Sequence, residues 1–139
     1  MKLHDFIFCD DIRYEQNNKL SLMGLYNDCI IIKSKSKDVI KWPVPMVLAL
    51  LLRFCQDDGD EKPDNFEFEY FINKKFIVKI QGQVNIAKTS LSTFNLTIKT
   101  QGMLIEPGWL GFTVKLLKKD KLLCSETKEN AIEILYEAI

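Results

Sequence analysis

The chain has 139 residues, 47% of them apolar, with 19 lysines and arginines against 19 aspartates and glutamates. That is one domain's worth of chain with enough apolar content for a real core, which excludes general disorder. The balanced charge gives no global field toward nucleic acid or an anionic membrane, so a single domain over 1–139 is expected to bind neither.

The opening Met1-Lys2-Leu3-His4-Asp5 lacks an apolar stretch before a small-residue cleavage site. The longest apolar run, Met46–Leu52, is far short of the roughly 20 residues a membrane helix needs. A cytoplasmic location is therefore expected. Phe6 to Ile12 is rich in aromatic and β-branched residues and reads as a strand. Gln16-Asn17-Asn18-Lys19 breaks it, and Leu20 to Tyr26 reads as the returning strand. A two-residue turn at Asn17-Asn18 would pair Gln16 with Lys19, Asp11 with Gly24 and Arg13 with Leu22.

Two carboxylates, Asp10 and Asp11, interrupt this hairpin. Alternation sends them to opposite faces, Asp10 with Phe6, Phe8 and Ile12, Asp11 with Ile7, Cys9 and Arg13. An unpaired buried charge costs several kcal/mol, so each needs a partner or a bulge that turns it to water. Arg13 lies roughly 6–7 Å from Asp11 along one face, and Gly24 leaves room for a side chain to fold across. Two interpretations follow: a salt-bridge and hydrogen-bond cluster that fixes register, or a ligand or metal site. Adjacent strand residues can share one metal ion only at a bulge.

The run Phe8-Cys9-Asp10-Asp11-Ile12-Arg13, followed by Glu15, Lys19, Ser21-Leu22-Met23-Gly24 and Tyr26, resembles the start of a family of small bacterial proteins with no assigned activity. The resemblance is specific over about the first 30 residues and continues weakly to Pro107-Gly108. It implies a compact, all-β bacterial domain and no particular reaction. The chain departs from the pattern in its lysine-rich segment after Ile32 and in its tail after Cys124.

Cys29 to Ile32 is a third short strand. Lys33, Lys35, Lys37 and Lys41 beside Trp42 could suggest phosphate contact with a stacking aromatic, but a solvated loop is the preferred account, since lysines are common in loops and no arginine joins them. The prolines of Trp42-Pro43-Val44-Pro45 cannot donate to a ladder, so this stretch is an extended approach to the buried strand Met46–Phe54 and not a central strand. Gln56-Asp57-Asp58-Gly59-Asp60-Glu61 is an acidic turn. A calcium clasp there would need acids from a second loop, with Glu106 the candidate.

Phe66 to Ile80 is the clearest hairpin. A three-residue loop at Asn73-Lys74-Lys75 would pair Ile72 with Phe76, Tyr70 with Val78, Phe68 with Ile80 and Glu69 with Lys79. Thr89 to Thr100 alternates with Phe94, Leu96 and Ile98 inward, as in a sheet with one wet face. Gln101 to Leu110 reads as a loop holding Pro107-Gly108 and Trp109. Phe112–Leu117 and Leu122–Cys124 flank a turn at Lys118–Lys121. Ala131, Ile134, Leu135, Ala138 and Ile139 fit one helical face, which favours a short helix after about Thr127, while the family resemblance implies a strand near Thr127.

The expected fold is thus all-β, a mainly antiparallel β-sandwich of about eight strands with one short C-terminal helix. The four cysteines Cys9, Cys29, Cys55 and Cys124 have no Cys-x-x-Cys spacing and read as buried free thiols. With one histidine, His4, and no phosphate loop, His-Glu-x-x-His or Gly-x-Ser-x-Gly, no catalytic residues, metal site or cofactor are expected. The favoured function is a non-enzymatic module that binds an unknown protein partner, with Asp10, Asp11, Arg13, Tyr26, Trp42 and Trp109 as candidate binding residues. The alternatives are a metal-dependent hydrolase or small-ligand protein built on Asp10 and Asp11, and a structural subunit joined through its edge strands.

Overall fold

A computed structural model describes residues 1–17, 19–35, 40–85 and 92–138. Asn18 of the first turn, Lys37 of the lysine segment, the 86–91 stretch with the expected strand start at Thr89, and Ile139 lie outside the described residues. The described strands are β1 (Lys2–Tyr14), β2 (Leu20–Leu25), β3 (Cys29–Ser34), β4 (Val44–Cys55), β5 (Asn65–Ile72), β6 (Lys75–Gln83), β7 (Thr93–Ile105), β8 (Gly108–Lys118) and β9 (Lys121–Ala138). They form an antiparallel sheet in the order β2-β1-β4-β7 and a second in the order β3-β9-β8-β5-β6. In the second sheet β3 runs parallel to β9 and the other pairs are antiparallel.

Alternation makes the core. Leu48, Leu50, Leu52 and Phe54 of β4 and Phe94, Leu96 and Ile98 of β7 meet Phe68 and Tyr70 of β5, Phe112 and Val114 of β8, and Ile132 and Ile134 of β9. Phe112 lies among Phe6, Phe8 and Phe68, with ring centroids 5.2, 6.5 and 5.6 Å away. Tyr70 is fully buried in an edge-on pair with Phe68, and its hydroxyl has no hydrogen-bond partner among the described residues. Burial pushes its phenol pKa upward. Removing an unpaired buried hydroxyl relieves a desolvation cost, so Tyr70→Phe is expected to raise stability by about 1 kcal/mol in urea unfolding. A loss of stability would place a bond on that oxygen.

The expected C-terminal helix is replaced by β9, the strand that joins β3 to β8. Ile132 and Ile134 alternate inward, while Glu133 and Leu135 face out. The register with β8 changes from Phe112↔Lys128 to Leu110↔Ile132, so β9 bulges opposite Gly111. Past the bulge β9 is regular, and the helical spacing arises because an outward-facing apolar residue, Leu135, follows the inward Ile134.

Other turns are tighter than expected. β5 and β6 join through Asn73 and Lys74 alone, both at positive φ, with Ile72 opposite Lys75. A bulge at Tyr70/Phe71 then restores Tyr70↔Val78, Phe68↔Ile80 and Glu69↔Lys79. It sends Phe76 to the outer surface, where its ring meets Phe71. Lys79 pairs with Glu67 at 3.8 Å and not with the opposed Glu69. The expected loop at Gln101–Leu110 is largely strand: β7 continues to Ile105, with its bulge near Gly102 at φ 69°, and β8 begins at Gly108. No helix of the described residues is long and apolar enough to cross a membrane.

Candidate functional site

Two places gather the residues of interest. The first is the break in β1. β1 pairs with β4 from Lys2↔Cys55 to Cys9↔Ala49, and beyond Cys9 it pairs with β2 alone. Val44 to Leu48 of β4 are left with β7 as their one strand partner, and Pro45, which has no amide donor, sits in that vacated stretch. This reconciles the proline with a strand that is central elsewhere.

Alternation also fails at this break. Cys9 and Ile12 are both fully buried and pack in one cluster with Ala49 and Leu51, flanked by Ile7, Leu20 and Leu22. A regular strand would put Cys9 and Ile12 on opposite faces. The β1–β2 tip instead folds over the outer surface of its own sheet. Tyr14 reaches β7, where its hydroxyl shares a hydrogen bond with that of Thr97 and its ring lies 5.9 Å from the Lys99 ammonium.

The hairpin register is one residue away from the expected one. Asp11 faces Met23 and Arg13 faces Ser21. Asp10, not Asp11, therefore uses the space at Gly24: a Cβ there would lie 2.7 Å from the Asp10 carboxyl carbon, and Gly24 holds φ 69°. The Tyr26 hydroxyl donates to Asp10 Oδ1 at 2.6 Å. Burial, then this bond, pushes the Tyr26 phenol up. Asp11 turns the other way, to Arg13 at 3.6 Å and Lys99 at 3.5 Å, and accepts the Ile12 amide at 2.9 Å.

The two carboxylates thus serve different partners, and among the described residues no group of three His, Cys, Asp or Glu is placed to hold a metal ion. Likewise Asp60 is committed to the Asp57 amide at 2.7 Å and the Met1 amine at 3.0 Å.

The Asp11 carboxyl lies below the ordinary aspartate range. The Ile12 amide is the chief cause; partial desolvation opposes it, and Lys99 and Arg13 add to the lowering. Because the folded value is the lower one, this contribution is fully present above the ordinary aspartate range and is lost as pH falls through the lowered value. An NMR titration is expected to show Asp11 titrating below a free-peptide aspartate, with Lys99→Ala moving it part of the way back. An Asp11 midpoint at the free-peptide value would contradict this geometry.

The second place is the outer face of the five-stranded sheet. Trp109 opposes Glu133, which opposes Cys29, and Leu135 opposes Ile31. Trp109 is 41% exposed, Ile31 46% and Leu135 40%. Three large apolar side chains on adjacent strands therefore stand in water on one face. Trp42 lies on the other side of the sheet, at the end of β9, where its ring meets Tyr136 edge-on at 5.7 Å; Tyr136 shares the parity of inward Ile132 and Ile134, and the Tyr136 and Ser34 hydroxyls lie 2.7 Å apart. The hydrogen bonds of Asn73 fix the approach to Trp109: its Oδ1 accepts the Trp109 amide at 3.0 Å and its Nδ2 donates to the Pro107 carbonyl at 3.3 Å.

The six expected residues are thus split. Asp10 and Tyr26 form one pair, Asp11 and Arg13 belong to a cluster with Lys99, and Trp42 and Trp109 bracket β9. Sequence reasoning missed Lys99 and Tyr14, which reach the Asp11 cluster across β4, and Ile31, Leu135 and Tyr136. Ile31 and Leu135 meet through a parallel pairing of residues far apart in the chain, for which local alternation carries no signal. No family model matches the chain, and no curated protein matches it.

Proposed function

We propose that this chain is a non-enzymatic, protein-binding module that uses the outer face of its five-stranded sheet around β9. The observation that carries the proposal is the exposure of three large apolar side chains on adjacent strands of one face, Leu135 opposite Ile31 and Trp109 in the neighbouring row. Contiguous exposed apolar area on a folded domain favours a protein contact, and aromatic anchors dominate such contacts. The divergence of Asp10 and Asp11 favours this reading over a metal-dependent hydrolase. The described cysteines are free, which fits a reducing compartment and a cytoplasmic protein. The resemblance of the opening residues to small bacterial proteins fits the same setting.

The test compares proteins captured by the tagged wild type and by Trp109→Ala and Leu135→Ser, with thermal melts as folding controls. A partner retained by the wild type and lost by both folded variants supports the proposal. Identical capture by all three proteins overturns it.

A further inference from the structure

We propose that the β3 edge beside this face joins a second copy of the chain, by antiparallel pairing of β3 with β3 about a two-fold axis at Ile31. The pairing goes beyond the proposed module: it continues the outer face across two copies and leaves Trp109 and Leu135 exposed on it.

The four sheet edges differ in character. β2, β7, β3 and β6 are the terminal strands of the two sheets. Terminal strands expose main-chain donors and acceptors, and proteins blunt them with charges, glycines, prolines or bulges. β2 carries Gly24 at positive φ, β7 carries Lys99 and the bulge near Gly102, and β6 carries Lys75, Lys79 and Gly82. β3 reads Cys29-Ile30-Ile31-Ile32-Lys33-Ser34, with one charge near its end. Its three consecutive β-branched residues suit it to pairing with another strand.

Antiparallel pairing about a two-fold normal to the sheet keeps the outer faces on one side and opposes residues of equal parity. Centred on Ile31, it opposes each Ile31 to its own copy, Ile30 to Ile32 and Cys29 to Lys33. Within a protomer Cys29 lies beside Glu133. Lys33 of one copy then points across the small Cys29 of the other toward Glu133, two strands or about 10 Å away, a span that lysine and glutamate side chains bridge together. Among the described residues neither Lys33 nor Glu133 has an ion-pair partner inside the protomer. The symmetry makes this contact twice. It also aligns Leu135 and Ile31 of one copy with Ile31 and Leu135 of the other in one apolar row. The equal numbers of acidic and basic residues mean that two copies meet without net repulsion.

Sedimentation velocity from about 1 µM to about 300 µM tests the pairing. The wild type is expected to pass from monomer to dimer over that range. Ile31→Lys, which puts two ammonium groups face to face on the axis, is expected to stay monomeric. Lys33→Glu is expected to weaken dimerisation about tenfold or more, and the combined Lys33→Glu, Glu133→Lys exchange to restore it. Should Ile31→Lys melt early, the exposed Lys33 variant and its rescue carry the test. A wild type that stays monomeric throughout, or a Lys33→Glu variant that dimerises as tightly as the wild type, overturns the proposal. A monomer that still loses another captured protein on Trp109→Ala refutes self-pairing alone and leaves the binding module intact.

Discussion

Phe112→Ala is expected to destabilise the protein by about 3–5 kcal/mol, the range for truncating a buried phenylalanine. Phe112 is fully buried on β8. Its ring is stacked on Phe68 of its own sheet, and it meets Phe6 and Phe8 of the facing sheet edge-on. The ring therefore joins the two layers, and its removal takes contact from both at once. The surrounding strands are held by ladders on each side and cannot collapse fully into the void. Urea unfolding measures the loss. A cost under about 1 kcal/mol would mean that the layers do not meet at this ring.

The neighbouring residue carries the second large effect, by the opposite mechanism. Gly111→Ala is expected to cost about 3 kcal/mol, the upper end for overpacking, because its methyl group meets main chain and not a movable side chain. A Cβ at Gly111 would overlap the Glu129 carbonyl oxygen, lie 2.6 Å from the Lys128 carbonyl oxygen and 2.9 Å from the Glu129 carbonyl carbon. These atoms belong to the β9 bulge, where the pairing moves from Phe112↔Lys128 to Leu110↔Ile132. Relief requires moving the bulge, and the bulge sets which residues of β9 face outward. Circular dichroism and urea unfolding of Gly111→Ala check this. An unchanged midpoint would show that β9 passes Gly111 without the close approach.

These two residues also mark how far local pattern reaches. Phe66 to Ile80 showed its register because both strands alternate and a local turn joins them, so Tyr70↔Val78 and Phe68↔Ile80 hold although the turn is shorter by a residue. The inward set Phe94, Leu96 and Ile98 was equally plain. Where a strand carries extra residues, the pattern misleads. Ile134 and Leu135 look like one helical face, yet one is core and the other is in water, because β9 runs extended past its bulge. The Asp10-Asp11 pair signalled an anomaly correctly, but its consequence depends on where β1 leaves β4. That is set by contacts with Ala49, Leu51 and Lys99, all far along the chain.

The proposed binding face was the least legible part. Trp109 stood out as a tryptophan beside Pro107-Gly108, but its exposure follows from its parity with buried Leu110 and Phe112 on β8. Its apolar neighbours are Leu135 on β9 and Ile31 on β3, which is laid parallel against β9 by a connection that crosses from one sheet to the other. No turn signal encodes such a pairing. The exposed apolar side chains and the β3 edge beside them exist only once both sheets are assembled.

Hydrogen–deuterium exchange of the wild type at low and high protein concentration tests the β3 edge most directly, since it needs no substitution. Protection of the Cys29–Ser34 amides is expected to rise with concentration while the edges of β2, β6 and β7 exchange at constant rates. Equal exchange of β3 at both concentrations, or a rise shared by all four edges, would contradict a specific pairing at Ile31.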